Sequence, residues 1–173
     1  MAKPYLYLNF IMFVPLHPAI VHFPIALITA ALILHGIQLW KPNWLSRVVG
    51  LWLMGLATIS AIAAVLTGQK EAAKAGVIGY PTETLILIER HETFGNIVVW
   101  GSILFFIGWV YFFFKYKNDI QLDRLALAFL LLLFMIVTVS ACTGGQLVYI
   151  HGVGTPYIKH YFDMLKSLSI SWP

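Results

Sequence analysis

Four long apolar stretches restrict what this chain can fold into. They cover residues 19–40, 48–67, 93–114 and 125–150. An α-helix needs about 20 apolar residues to cross the roughly 30 Å hydrocarbon core of a bilayer. The stretches therefore predict four transmembrane helices, and Pro18 stands where proline is favoured, in the first turn of the first helix.

The composition agrees with a membrane protein. Of the 173 residues, 60% are hydrophobic and 10% are charged, whereas about 25% of a soluble domain is charged. The net charge is +4, but the basic residues stand singly between apolar runs, as residues that flank membrane helices do. We therefore expect no nucleic-acid binding. A single cysteine, Cys142, excludes an internal disulfide, a CxxC zinc pair and a CxxCH haem attachment.

The connections between the stretches set the topology. Residues 41–47 and 115–124 form short links, which require antiparallel neighbours. The middle connection is longer, and its second half can extend the third helix back to Thr82. The sequence thus predicts an all-α integral membrane protein, an up-down-up-down four-helix transmembrane bundle that forms a single membrane domain over residues 1–173.

Two further segments are expected to lie at the membrane surface. Residues 4–14 are apolar but too short to cross, so we interpret them as an interfacial N-terminal segment. Residues 156–170 have apolar side chains at helical spacing, with Lys159, Asp163 and Lys166 between them. That pattern is typical of a C-terminal amphipathic helix on the bilayer surface. We predict no cleavable signal peptide and find no internal repeat in the sequence.

Four of the six histidines fall at one end of the predicted bundle, here called side A, which carries the N-terminus. His17 and His22 lie at the start of the first helix, His91 lies at the start of the third, and His151 ends the fourth. Imidazole is the commonest metal ligand in proteins and a frequent axial ligand of haem. These four residues are therefore candidate ligands of a cofactor or a metal ion.

The bundle topology predicts how the four histidines pair. The first and third helices are diagonal neighbours, so His22 and His91 are expected to face each other and bind haem b from opposite sides. His17 and His151 form the second expected pair. Small residues beside each histidine, such as Gly144 near His151, would leave room for a macrocycle. Small residues also let membrane helices approach closely with no cofactor present.

Three functions fit this pattern. The first is a small b-type cytochrome-like subunit with one or two haem groups, a redox subunit or electron carrier rather than a stand-alone enzyme. Its electron donor would be a membrane quinol or a redox enzyme. The second is a non-haem membrane protein that binds copper, zinc or iron, all of which accept imidazole ligands. The third is a cofactor-free structural subunit of a larger complex or oligomer.

Several motifs resemble a bacterial membrane family known as domain of unknown function 2231. They are HPAIVHFPIAL from His17, the pair Thr67–Gly68, RHETFGN from Arg90 and GGQLVYIHGVG from Gly144. The resemblance covers roughly residues 16 to 155 and includes all four candidate histidines.

The resemblance implies a location in the bacterial inner membrane. Similar domains occur joined to c-type cytochromes, which implies electron transfer at the extracytoplasmic face, here to a separate c-type cytochrome. The basic residues of the two short links favour their side of the bundle, side B, as the cytoplasmic face. Side A and its histidines would then be extracytoplasmic.

Overall fold

The computed structural model describes residues 16–42, 44–116 and 119–155, and these residues form helices and no strand. The helices are α1 (Leu16–Ile20), α2 (His22–Trp40), α3 (Trp44–Ile78), α4 (Thr82–Lys115) and α5 (Ile120–Tyr149). The Val21 N–H donates to the His17 carbonyl at 3.1 Å, so α1 and α2 continue one another as a single span. With it, α3, α4 and α5 are each long and apolar enough to cross a membrane. The predicted all-α membrane bundle is confirmed.

The four spans form a ring. Helix α2 packs against α3, α3 against α4, α4 against α5, and α5 against α2. Helices α2 and α4 are therefore diagonal to each other, as are α3 and α5. The short links on side B make the neighbours antiparallel, as the sequence predicts.

Two helices are longer than the apolar stretches that identify them. Helix α3 continues to Ile78, and α4 begins at Thr82, the residue from which the sequence allows an extension. Residues 69–75 contain four polar side chains and three alanines, all good helix formers, so the helix continues through them. Gly79, with φ +77°, ends it. With 35 and 34 residues, both helices are about 50 Å long and project beyond the hydrocarbon core on side A.

The two surface segments expected at residues 4–14 and 156–170 lie outside the described residues.

Helices α2 and α4 have equivalent residues at a constant spacing. This internal repeat is not evident from the sequence, in which we expected none. The spacing from Ile28 to Ser102 equals the spacing from His35 to Trp109. Ile28 and Ser102 are both fully buried, and His35 and Trp109 are both nearly so. The rings of His35 and Trp109 also contact each other, with centroids 5.0 Å apart. Equivalent residues of the two helices are thus buried inside the bundle, and His35 and Trp109 are in contact.

Helices α3 and α5 repeat in the same way. Arg47 and Asp123 are 76 residues apart and bond to each other, and the fully buried Met54 and Leu130 have the same spacing. The hairpins α1–α3 and α4–α5 are therefore two copies of one unit. Both copies run from side A to side B and back, so a pseudo-two-fold axis along the membrane normal relates them. Equivalent residues next to the axis can differ in type: Arg47 and Asp123 have opposite charges.

We expect exchange of the Arg47–Asp123 charges to be tolerated because the two positions are equivalent about the axis. The Arg47 Nη2 donates to Asp123 Oδ1 at 3.1 Å, and the side chains are only 14% and 15% exposed. The single change Arg47→Asp leaves two carboxylates together, and we expect it to lower the free energy of unfolding by about 3–5 kcal/mol. The double variant Arg47→Asp/Asp123→Arg should recover most of that loss in thermal unfolding of the detergent-solubilised protein.

The pair Lys74–Glu71 provides the control, because the Lys74 side chain is 66% exposed. Reversal of that charge should cost less than about 1 kcal/mol. A double variant as unstable as Arg47→Asp alone would contradict the equivalence of the two positions.

Candidate functional site

The His17 imidazole lies against helix α3. Its Nδ1 is 2.9 Å from the Ala64 carbonyl oxygen and 3.3 Å from Thr67 Oγ1. A carbonyl oxygen can only accept, so Nδ1 carries the proton and donates it to Ala64. The Thr67 hydroxyl donates to the carbonyls of Ala63 and Ala64, each at 2.9 Å. In a neutral imidazole this arrangement leaves the lone pair on Nε2.

Gly68 makes this position of the ring possible. A Cβ atom on Gly68 would lie 2.9 Å from His17 Cε1 and 3.2 Å from its Nδ1. Real Cβ contacts of this length are essentially never seen, and the opposing atoms belong to a ring held by its hydrogen bond. Any other residue at this position would push the imidazole away from α3.

His91 repeats the arrangement on helix α5. Its Nδ1 is 3.1 Å from the Ser140 carbonyl oxygen and 3.1 Å from Thr143 Oγ1. The Thr143 hydroxyl donates to the same Ser140 carbonyl at 2.8 Å. A Cβ atom on Gly144 would lie 3.0 Å from His91 Cε1. The tautomer is again fixed with the proton on Nδ1 and the lone pair on Nε2.

We refer to the backbone and side-chain groups that seat each ring as its cradle. The His17 cradle consists of Ala64, Thr67 and Gly68, and the His91 cradle consists of Ser140, Thr143 and Gly144. Corresponding cradle residues are separated by the spacing that also separates Arg47 from Asp123. The internal duplication therefore extends to the site. A small residue followed three and four positions later by Thr-Gly, twice in the chain, is the sequence signal that identifies both cradles.

The two cradled imidazoles meet near the pseudo-two-fold axis. Their centroids are 6.0 Å apart, and their planes are inclined by 76°. Two imidazoles that bind one metal ion from opposite sides have centroids about 6 Å apart, given a metal–nitrogen distance of about 2.0 Å. Among the described residues, neither Nε2 has a hydrogen-bond partner. The centroid spacing of the pair thus matches that of two ligands of one metal ion, and both Nε2 lone pairs are available.

The partner of His91 differs from the expected one. The bundle topology predicts that His22 faces His91, but the His22 side chain is exposed and His17 takes its place. His22 comes five positions after His17, which places the two side chains about 140° apart around the helix. Once His17 points into the bundle, His22 must point away from it.

His151 does not join His17, as the second expected pair requires. Its Nδ1 lies 3.0 Å from Thr84 Oγ1, at the side A end of α4. Gly144, expected to leave room beside His151, instead lies against His91. Within residues 16–42, 44–116 and 119–155, no three His, Cys, Asp or Glu side chains come together as a metal-binding group. The candidate site is therefore a pair of imidazoles, and a role for His22 or His151 as a ligand stays a prediction.

The sequence profile of a family described as predicted membrane protein (DUF2231) matches residues 13–156. This range contains both cradles and all four candidate histidines. The chain belongs to this family. Comparisons with curated proteins and with solved structures find no significant match. For this DUF2231 protein, the family description and the four candidate spans agree on a multi-pass membrane protein.

Proposed function

We propose that His17 and His91 bind one haem b near the pseudo-two-fold axis, and that the protein is a small b-type cytochrome-like electron-transfer subunit. The observation that supports this proposal is the pair of imidazoles from diagonal spans, 6.0 Å apart, with both Nδ1 atoms held by backbone carbonyls. Haem iron, when bound, supplies one-electron redox chemistry.

The donor set fits haem better than a bare ion. A structural zinc site uses four protein ligands, and a catalytic one uses three. The described residues bring together two imidazoles and no third metal-ligating side chain. A porphyrin would supply four nitrogens of its own, so the imidazoles of His17 and His91 would suffice to hold a haem. One pair of imidazoles also favours one haem over two.

The cradles have a defined task in this proposal. A ligating histidine commonly donates its other N–H to a carbonyl, which fixes the tautomer and the ring orientation and makes the ligating nitrogen more basic. The carbonyls of Ala64 and Ser140 accept these hydrogen bonds. Gly68 and Gly144 let each ring approach its helix closely enough to form them.

The position of the pair suggests the direction of electron transfer. The pair lies toward side A, and α3 and α4 continue past it by several turns. In our proposal, side A faces the extracytoplasmic space of a bacterial inner membrane. The donor is a membrane quinol or a redox enzyme, and the acceptor is a separate c-type cytochrome.

A bare metal ion is a second candidate, since the centroid spacing of 6.0 Å fits it as well as it fits haem. Imidazole suits copper as a ligand. Two imidazoles on opposite sides of one copper ion would have about this spacing. In that case the protein would be a metal-binding protein without haem.

Absorption spectra and metal analysis of the purified chain, expressed with ample haem, distinguish these functions. We expect a b-type spectrum that sharpens on reduction with dithionite, and a pyridine haemochrome assay that gives one haem per chain. Stoichiometric copper, zinc or iron without haem absorption would show that the protein binds a bare metal ion instead of haem. A chain that folds with neither would overturn both and leave a cofactor-free structural subunit.

A further inference from the structure

A groove of about 500 Å³ runs along the membrane face of the second hairpin, between α4 and α5. It is lined on α4 from Ile97 to Tyr116 and includes Gly101 and Gly108 in its wall, with Phe129 opposite on α5. From Ile97 to Tyr116 the helix rises about 28 Å, close to the thickness of the hydrocarbon core. The groove is therefore long enough for an extended apolar chain.

The internal duplication shows why the groove lies on this hairpin. Leu27 and Leu34 of α2 are the equivalents of Gly101 and Gly108, at the spacing that relates His35 to Trp109. Both leucines are partly buried, and Leu27 packs against the core. A Cβ atom added to Gly108 would meet no atom within 4 Å. The groove thus occupies the space that two leucine side chains take up in the other copy.

The side B end of the groove is charged. Arg47 and Asp123 line it as an ion pair. The Lys115 ammonium lies beside it, 5.4 Å from the ring centroid of the lining residue Tyr116, and donates a hydrogen bond to the Tyr111 hydroxyl. The described residues on side B have an excess of positive charge, with Lys41, Arg47, Lys115 and Arg124 against Asp119 and Asp123. An occupant that complements this surface has a long apolar body and an anionic head.

We propose that the groove binds an anionic phospholipid of the side B leaflet, with one acyl chain between α4 and α5 and its phosphate beside Arg47 and Lys115. A transmembrane helix of a partner, or a quinone with its neutral head, would match the apolar wall but not the positive charge. Each basic residue near an anionic membrane surface contributes attraction worth about 1 kcal/mol, or roughly fivefold in affinity. Because Asp123 pairs with Arg47, the net attraction is that of one basic residue, Lys115. The proposal does not depend on the cofactor of the histidine pair.

Fluorescence of Trp109, which lines the groove, tests the proposal in the full-length chain. A variant with Trp109 as its sole tryptophan is reconstituted in phosphatidylcholine vesicles that contain increasing fractions of brominated phosphatidylglycerol. We expect half-maximal quenching at about fivefold lower mole fraction than with brominated phosphatidylcholine. Native mass spectrometry of the unmodified protein, which should retain phosphatidylglycerol, gives a second readout if the sole-tryptophan variant does not fold.

Two matched pairs of variants locate the lipid. Gly108→Leu fills the groove and should abolish the selective quenching, whereas Gly36→Leu, at another glycine with open space around it, should not. Lys115→Gln should reduce the selectivity, whereas Lys41→Gln, its equivalent in the first hairpin, should leave it unchanged. Equal quenching by the two lipids, or a response unchanged by Gly108→Leu, would overturn the proposal. Retention of a quinone, or a dimer that closes the groove, would also overturn it.

Discussion

Replacement of His91 by alanine is expected to reduce the haem content of the purified protein from about one per chain to less than roughly a tenth of that. His17→Ala should have the same effect. Loss of a residue that only supports a metal ligand lowers affinity 10- to 100-fold, and loss of the ligand itself should cost at least as much. The haem-to-protein ratio after purification, measured by the pyridine haemochrome assay, gives the result.

The other two candidate histidines serve as controls for this experiment. His22 is exposed, and His151 bonds to Thr84. We expect His22→Ala and His151→Ala to keep full haem content. Full haem in both His17→Ala and His91→Ala would contradict the proposed pair. Loss of haem in His22→Ala would instead restore the pairing that the sequence alone suggests.

Replacement of the cradle glycines by alanine should lower the free energy of unfolding, whereas the same replacement at an ordinary helix glycine raises it. At Gly144 an added Cβ lies 3.0 Å from His91 Cε1. We expect Gly144→Ala to lower the free energy of unfolding by about 1–3 kcal/mol, because the His91 ring must shift against the hydrogen bond that holds it to Ser140. Gly68→Ala should behave alike, since its Cβ would lie 2.9 Å from His17 Cε1. Thermal unfolding in detergent measures both effects, whether or not a cofactor is bound.

Gly145, next to Gly144, and Gly76, on the same helix as Gly68, provide controls for the cradle variants. A Cβ atom on Gly145 or on Gly76 would meet no atom within 4 Å. Alanine is favoured over glycine in a helix by roughly 0.5–1 kcal/mol, so these variants should be slightly more stable than the wild type. Equal effects at Gly144 and Gly145 would show that the imidazole does not lie in the described cradle.

The sequence was sufficient to predict the bundle because bilayer thickness fixes the length of an apolar span. It also placed His17, His91 and His151 on one side, since antiparallel topology follows from short links. It did not predict the partner of His91. The partner depends on which side chains of the first span face the bundle interior. His17 is part of that span, because the first helix begins at Leu16 rather than near Ala19.

The internal duplication is hidden in the sequence for a different reason. Several equivalent residues that meet near the axis differ in type, although His17 and His91 are identical. Arg47 pairs with Asp123 as opposite charges, and His35 packs edge to face on Trp109. Burial and spacing preserve the repeat where residue identity does not. The cradles, which do not touch each other, are the part that keeps similar residues.

Ligand exchange tests most directly whether His17 and His91 bind the haem iron. Replacement of one axial histidine by methionine raises the reduction potential of a haem. The measurement is a redox titration of His17→Met and His91→Met, with His151→Met as the control. The proposal predicts a raised potential and an altered spectrum in the first two variants and no change in the third. Potentials and spectra identical to the wild type in both His17→Met and His91→Met would contradict it.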